Sequence, residues 1–149
     1  MNTNLHFSSK TDNWATPKDF FDKLNEEFRF TLDACADSSN AKVADYFTKE
    51  IDGLSQSWSG TVWVNPPYGR EISKWIKKSY EESILGSTVV MLIPARTDTV
   101  AWHSFIFGKT NVEIRFIKGR LKFGECKNPA PFPSAVVIFK EIPNLNQNK

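Results

Sequence analysis

The sequence predicts an α/β fold around a mostly parallel sheet whose last strand is antiparallel. Strand-like apolar runs alternate with amphipathic helical segments, and such chains pair consecutive strands in parallel through right-handed crossovers. The third strand-like run, residues 87–95, is apolar at nearly every position, as expected for a strand covered by helices on both faces. The last two runs, residues 112–117 and 134–139, have no helical segment between them, which predicts an antiparallel pair.

The first predicted helix covers residues 16–28, TPKDFFDKLNEEF. Thr16 is the expected N-cap, and Pro17 is expected at the first helical position. Apolar side chains at helical spacing predict one buried face: Phe20, Phe21, Leu24 and Phe28. A short strand should follow and end near Asp33, where a cluster of acidic and small residues begins.

The second predicted strand is residues 61–64, and the second predicted helix lies within residues 70–86. Glu71 is expected in the first turn of this helix and Gly86 beyond its end. Its predicted buried face comprises Ile72, Trp75, Ile76, Tyr80 and Ile84. A third helix is predicted at residues 99–107. Polar clusters follow the first three strands, and we expect them to face one crevice at the carboxyl ends of the strands.

Length and composition predict one globular domain over residues 1–149, with frayed ends at about residues 1–12 and 142–149. With 40% hydrophobic and 24% charged residues, the chain is not of the disordered class. It has no run of 18 apolar residues and no apolar segment at its N-terminus, which predicts a cytoplasmic protein without a membrane span.

Cysteine and histidine usage argues against a metal site or a disulfide framework. The chain has 2 Cys and 2 His and no CxxC motif. We therefore expect Cys35 and Cys126 to be reduced, buried thiols.

Charge is unevenly distributed along the chain. Residues 1–60 carry 6 Lys and Arg against 10 Asp and Glu, a net charge of −4, whereas residues 61–149 carry 13 against 7, a net charge of +6. A basic C-terminal half fits a polyanionic partner, although ordinary solvated surface explains the charge alone equally well.

The segment Asn65-Pro66-Pro67-Tyr68 directly follows the second predicted strand. The prolines have fixed φ and no N–H, so the segment is stiff and offers mainly hydrogen-bond acceptors. The Asn65 side-chain oxygen and the Pro66 carbonyl can each accept one hydrogen of a planar NH2 group, and Tyr68 offers a ring for stacking. A plain strand terminator needs neither the asparagine nor the tyrosine.

Such a site suits methylation of an aromatic amine. The lone pair of the amine is delocalised into the ring, and two acceptors aligned on its hydrogens favour a pyramidal nitrogen that can attack a methyl sulfonium. The protein contributes position and electrostatics, while the cofactor carries the reactive carbon. Because Asn65 is not a base, we expect the proton to be lost to water.

The motif and its neighbours resemble the phage-type DNA N6-adenine methyltransferases (Dam family), which use S-adenosylmethionine. The resemblance covers nearly the whole chain and implies a Rossmann-like methyltransferase sheet with an antiparallel last strand. It is carried by WATP (14–17), LDACADSSNAK (32–42), DGL (52–54), WVNPPYG (63–69), LIPARTDT (92–99), KGRLKF (118–123) and SAVVIF (134–139).

The resemblance also implies roles for single residues. Asp33 would approach the methionine amino group of the cofactor, Asp52 its adenine amine, and Asn40 its ribose. The N–H groups of the helix that opens at Thr16 and Pro17 would receive the cofactor carboxylate. The implied catalytic residues are Asn65, Pro66, Pro67 and Tyr68. The implied cofactor-binding residues are Trp14, Thr16, Pro17, Asp33, Ala34, Asn40, Asp52 and Asn65.

DNA is the implied partner, with the target adenine rotated out of the duplex into the pocket. The basic residues best placed to contact it follow the second, third and fourth strands: Arg70, Arg96, Lys118, Arg120 and Lys122. A phage or prophage origin in a bacterial host is implied as well.

Three alternatives remain open at this point. The amine of cytosine N4 is chemically similar to that of adenine N6. A protein glutamine methyltransferase uses a similar motif, although we would then expect a separate substrate-binding domain. A DNA-binding relative without catalysis is the third, because methyltransferases of this fold often have a glycine-rich turn after the first strand, and this chain has Ala34-Cys35-Ala36 there.

Overall fold

The computed structural model describes residues 14–124 and 128–142. Its main elements, in chain order, are helix α1 (Lys18–Phe28), strand β1 (Leu32–Asp33), strand β2 (Thr61–Val64), helix α2 (Ile72–Ile84), strand β3 (Thr88–Pro94), helix α3 (Val100–Phe105), strand β4 (Val112–Phe116) and strand β5 (Ser134–Phe139). Cys126 and nearly all of the ends predicted to fray lie outside the described residues. No helix in the described part of the chain is long and apolar enough to cross a membrane.

The strands form one sheet in the order β1-β2-β3-β5-β4. β1, β2 and β3 pair in parallel, and β5 lies between β3 and β4, antiparallel to both. Four strands therefore run in one direction and β5 runs against them. The predicted fold class, including the antiparallel last strand, is confirmed.

The order of the strands in the sheet reverses at β1. Asp33 pairs in parallel with Trp63 of β2 on one side and forms an isolated parallel bridge with Tyr46 on the other. The chain thus leaves β1, adds a strand-like segment on one side, and returns on the other side to form β2. A crevice opens at the carboxyl ends of strands where the order reverses in this way, which places Asp33 and Asn65 beside it.

Side chains of β3 enter two separate cores, one on each face of the sheet. Val90 and Leu92 lie in the core that contains Phe21 and Leu24 of α1. Val89, Met91 and Ile93 lie in the core that α2 and α3 cover with Trp75, Ile76, Ala101 and Trp102. Burial on both faces explains why β3 is apolar throughout.

Two predictions about the helices are wrong in detail. Pro17 is the N-cap of α1, with an extended ψ of 138°, and Thr16 lies outside the helix. Oγ1 of Thr16 instead accepts a hydrogen bond from Nδ2 of Asn65. In α2, Ile84 is 46% exposed whereas Ser83 is buried. At 100° per residue, steps of four residues drift around the helix, so Ser83 rather than Ile84 continues the buried stripe of Ile76 and Ser79.

Candidate active site

Asn65 lies one residue beyond the end of β2, and its side-chain amide is held from one side. Its Nδ2 donates to the backbone carbonyl of Trp14 and, at 2.9 Å, to Oγ1 of Thr16. A carbonyl oxygen can only accept, so the atom facing Trp14 has to be the amide nitrogen. Both hydrogens of Nδ2 are therefore used within the protein.

The oxygen of the same amide lacks a hydrogen-bond partner within the described part of the chain. Oδ1 of Asn65 is buried, and no donor among the described residues reaches it. An orphaned buried acceptor costs about 1–3 kcal/mol, and such a group calls for a specific explanation. Thr16 and Asn65 both line a small cavity of about 20 Å³, which has room for about one water molecule.

The two prolines continue the chain stiffly from Asn65 towards α2. Pro66 is buried and Pro67 is half-buried. Gly69 then adopts a φ of 127°, which side-chain-bearing residues rarely adopt, and its carbonyl accepts from Ile72 N at 3.3 Å. The glycine lets the chain turn from the motif into α2, as its place in the sequence indicates.

Tyr68 is buried, with 6% of its surface exposed. Its hydroxyl donates to the carbonyl of Leu92 at 3.0 Å, and burial raises its pKa, so the phenol stays neutral. Phe123 and Phe132 pack edge-on against its ring, at centroid distances of 6.1 and 5.6 Å. Trp14 packs edge-on against the same two phenylalanines. These four residues form an aromatic cluster next to Asn65.

Asp33 is the buried carboxylate of the crevice. It is 2% exposed and accepts backbone N–H bonds from Cys35 at 3.3 Å and from Lys42 at 3.0 Å. Burial raises its pKa to about 6 although these bonds act in the opposite direction. Asp33 and Asn65 line the same cavity, as the positions of their strands predict. The neighbouring Cys35 thiol has its pKa raised to about 12, chiefly by burial, and is inert at neutral pH.

Asp52 begins a 3₁₀ turn, Gly53–Ser55, that presses against the end of β1. A Cβ atom on Gly53 would lie 2.2 Å from the carbonyl oxygen of Ala34, so only glycine allows this contact. Asp52 itself has a φ of 63° and accepts from Leu54 N at 3.2 Å. Gly53 thus allows its own turn to pack closely against the backbone that follows β1.

Asn40 lines the crevice, but its side chain is engaged locally. Its Oδ1 accepts from the backbone N–H of Asp37 at 2.8 Å, while Asp37 accepts from Ser39. The self-capping that is common for loop asparagines is what the structure contains. The amide nitrogen of Asn40 faces no acceptor among the described hydrogen bonds.

The N-terminus of α1 follows residues that line the cavity. Pro17 makes no side-chain cap bond, and within residues 14–124 and 128–142 no side chain caps the first N–H groups of α1. Ala15 and Thr16, just before the helix, line the cavity. An unsatisfied helix N-terminus favours an anionic group such as a carboxylate.

The predicted DNA-contacting residues lie at one edge of the sheet. Arg70 follows β2, Arg96 follows β3 and Lys118 follows β4, and these strands run in the same direction. All of the predicted basic residues are exposed: Arg70, Arg96, Lys118, Arg120 and Lys122. The Arg96 guanidinium lies 5.9 Å from the ring centre of Phe132, and Arg120 donates weakly, at 3.4 Å, to the carbonyl of Ala130. None of the ion pairs in the described part of the chain involves these five residues.

Sequence reasoning missed several residues of the site. Trp63 and Lys42 line the cavity, while Phe123 and Phe132 cover Tyr68. Trp63 lies in the WVNPPYG segment that carries the resemblance, two residues before Asn65, but the sequence alone indicates no site role for it. The phenylalanines lie in a loop without periodicity, where no local pattern indicates a contact with Tyr68.

The comparisons with known proteins agree on one family. The family model described as DNA N-6-adenine-methyltransferase (Dam) matches residues 3–144. A DNA N-6-adenine-methyltransferase of Haemophilus phage HP1 (strain HP1c1) is 30% identical over 141 residues, which cover 89% of this chain and 80% of that protein. A DNA N-6-adenine-methyltransferase of Escherichia phage T1 is 32% identical over 96 residues, which cover 62% of this chain and 40% of the T1 protein. The family match spans every residue that the structure describes.

Proposed function

We propose a reaction course for this chain from the premise that it belongs to the DNA N-6-adenine-methyltransferase (Dam) family. In this proposal the methyl donor is S-adenosylmethionine, and the acceptor is N6 of an adenine that has left the DNA duplex. Membership of this family favours adenine over cytosine N4 and over a protein glutamine.

The observation that carries the proposal is the orphaned oxygen of Asn65. An exocyclic NH2 group has two hydrogens to donate and would satisfy Oδ1 with one of them. The carbonyl of Pro66, held by a proline that cannot donate, is the proposed acceptor for the other. The cost of the empty acceptor in the free protein would then be recovered when the base binds.

Asn65 would activate the amine by position and electrostatics. Two acceptors aligned on its hydrogens favour a pyramidal nitrogen and turn the lone pair outward. S-adenosylmethionine, when bound, would supply an electrophilic methyl group on a sulfonium; N6 would gain this methyl group as the carbon–sulfur bond breaks and would then lose a proton to water. The buried phenol of Tyr68 stays neutral and serves packing rather than proton transfer.

The crevice residues fit the charges of that cofactor. The Asp33 carboxylate is buried without a cationic side chain bonded to it among the described residues, and an ammonium group would offset its desolvation. The uncapped N-terminus of α1 would receive a carboxylate. Asp52 and Ala34, brought together by Gly53, would border the adenosine portion.

A flipped base has to reach Asn65 past the aromatic cluster of Trp14, Tyr68, Phe123 and Phe132. Flipping costs a few kcal/mol, which contacts to phosphates would offset. The exposed cations after β2, β3 and β4 surround the same edge and are the proposed source of those contacts. Tyr68, Phe123 and Phe132 are buried, so the half-buried Trp14 is the ring of this cluster that is proposed to stack on the base.

The proposal is tested by following a labelled methyl group. The protein is incubated with methyl-labelled S-adenosylmethionine and unmethylated genomic DNA, and the DNA is digested to nucleosides for chromatography. We expect the label in N6-methyldeoxyadenosine. Label in N4-methyldeoxycytidine would contradict the proposed substrate. No label, together with no calorimetric heat for the cofactor with or without DNA, would identify a non-catalytic relative.

A further inference from the structure

We infer that Thr16 is a positioning residue that fixes the orientation of the Asn65 side-chain amide so that its oxygen faces the substrate amine. The inference rests on the proposed function for its catalytic consequence, because it concerns the same amide. It assigns Thr16 a task apart from capping α1 and from contacting a cofactor.

The amide is held at two points on its nitrogen. The Trp14 carbonyl takes one hydrogen of Nδ2, and Oγ1 of Thr16, 2.9 Å away, takes the other. Two acceptors on one nitrogen fix both the rotation of the amide and which of its atoms points into the crevice. With Nδ2 turned towards residues 14–16, Oδ1 is the buried atom that no donor among the described residues reaches, and in the proposed reaction it is the atom that accepts from the substrate amine.

The opposite orientation would defeat the proposed chemistry. It would present an NH2 group of the protein to the NH2 group of the base, donor against donor. It would also place Oδ1 against the Trp14 carbonyl, acceptor against acceptor. Thr16 adds a second acceptor on the same side, so it opposes this orientation and limits rotation of the amide plane.

Thr16 is itself anchored independently of Asn65. It is 5% exposed, and the neighbouring Ala15 carbonyl accepts from Gly124 N at 2.8 Å. Trp14, on the other side, packs edge-on against Phe123 and Phe132. Residues 14–16 therefore form a fixed frame, and a hydroxyl on a fixed frame can hold a neighbouring side chain in place.

The test compares Thr16→Val, which keeps the shape of the side chain and removes the hydroxyl, with Thr16→Ser, which keeps the hydroxyl. The first readout is nuclear magnetic resonance of the Asn65 side-chain NH2 group in the protein without ligands. We expect its two proton resonances to shift and exchange faster in Thr16→Val and to stay near wild type in Thr16→Ser. This readout does not depend on the proposed function.

The second readout is methyl transfer at saturating cofactor and DNA. We expect kcat of Thr16→Val to fall about 10- to 100-fold, because a small misplacement of an orienting group is costly. KM for DNA should stay within about threefold, and Thr16→Ser should recover most of kcat, as expected if the hydroxyl supplies the fixed hydrogen bond. Thr16→Ala gives the same comparison if the valine side chain is not tolerated.

The outcomes separate the two proposals. Unchanged Asn65 resonances in Thr16→Val would overturn the positioning role whatever the activity. An unchanged kcat with weakened cofactor binding would overturn it too and would leave Thr16 as a cofactor contact. A wild-type protein that methylates no adenine would overturn the proposed function alone, because the resonance experiment would still report on the amide.

Discussion

Charged side chains are paired beside the edge strand β4, whereas the crevice at the end of β1 contains a carboxylate without a cationic partner among the described residues. Beside β4, Arg115 makes two 2.7 Å bonds to Glu27 and one of 2.6 Å to Glu113, which also meets Lys140 at 3.2 Å. In the crevice, Asp33 is buried without a cationic partner among the described residues. The charges beside β4 are paired with opposite charges, whereas the Asp33 carboxylate is held by two backbone N–H groups and by no cationic side chain among the described residues.

The pKa values express the same contrast. Hydrogen bonds from Arg115 hold the pKa of Glu27 and Glu113 below the usual range, so both are ionised and paired. Burial raises the pKa of Asp33 to about 6. The first arrangement stabilises the folded chain modestly, whereas ionisation of the buried Asp33 destabilises it.

The largest expected effect comes from removing the orphaned acceptor. Asn65→Ala should lower single-turnover methyl transfer by about 100- to 1000-fold, as loss of one preorganised group at a reacting centre does. Cofactor affinity by calorimetry should stay within a few-fold. Asn111→Ala is the matched control, because Asn111 also makes two amide hydrogen bonds, to Ser83 and Lys140, away from the crevice. Near-normal turnover of Asn65→Ala would show that methyl transfer does not need the acceptor on Asn65.

The next effect is the pH dependence of cofactor binding. If ionised Asp33 holds an ammonium group, affinity for S-adenosylmethionine should fall by up to about tenfold per pH unit below pH 6, where Asp33 takes up a proton. Asp33→Asn should bind weakly at every pH and lose this dependence. Calorimetry from pH 5 to pH 8 measures both, and a flat profile for the wild type would refute the assignment.

Protonation of Asp33 should raise the stability of the folded chain, whereas it should lower the affinity for the cofactor. Its pKa is raised from 3.8 to about 6, so the stability contributed by the protonated form is present below pH 3.8 and is lost as pH rises through 6. Asp33→Asn has no such loss, although its amide nitrogen has to face one of the two backbone N–H groups that Asp33 binds. The free energy of unfolding of Asp33→Asn relative to wild type should therefore rise by about 1–3 kcal/mol between pH 4 and pH 7, measured as a change in the Tm difference. A pH-independent difference would mean that the buried charge is not its cause.

A smaller effect is expected at two arginines: Arg96, which makes no ion pair among the described residues, and Arg115, which pairs with Glu27 and Glu113. Arg96→Ala should weaken DNA binding a few-fold and lower the slope of log affinity against log salt by about 1, with Tm unchanged. Arg115→Ala should leave DNA binding unchanged and cost about 1 kcal/mol of stability, a modest loss because the ion pair is partly exposed. Salt-dependent binding assays and thermal melts of both variants test the pair. A reversed pattern would place the DNA contact at β4.

Local pattern was enough to predict much of the molecule. The apolar runs fixed β2, β3 and β5 to within about a residue, and the acidic cluster correctly predicted the end of β1 at Asp33. Because parallel strands share a carboxyl edge, the neighbouring positions of Asp33 and Asn65 followed from the same patterns.

Contacts between distant segments could not be predicted in this way. Thr16 has the sequence of an N-cap, yet a tertiary hydrogen bond to Asn65, 49 positions away, takes its hydroxyl. Gly53 lies in an ordinary Asp-Gly turn, and only the fold reveals that its missing side chain makes room for Ala34. Phe123 and Phe132 belong to an aperiodic loop, so their packing on Tyr68 depends on where that loop crosses the sheet.

The central claim is that Oδ1 of Asn65 accepts from the amine of the flipped adenine. A crystal structure of the protein with DNA and a non-transferable analogue of the cofactor measures the relevant distance directly. We predict that adenine N6 lies about 2.7–3.2 Å from Oδ1, with Nδ2 still bonded to Trp14 and Thr16. An adenine N6 held by other acceptors, with Oδ1 still lacking a donor, would contradict the account.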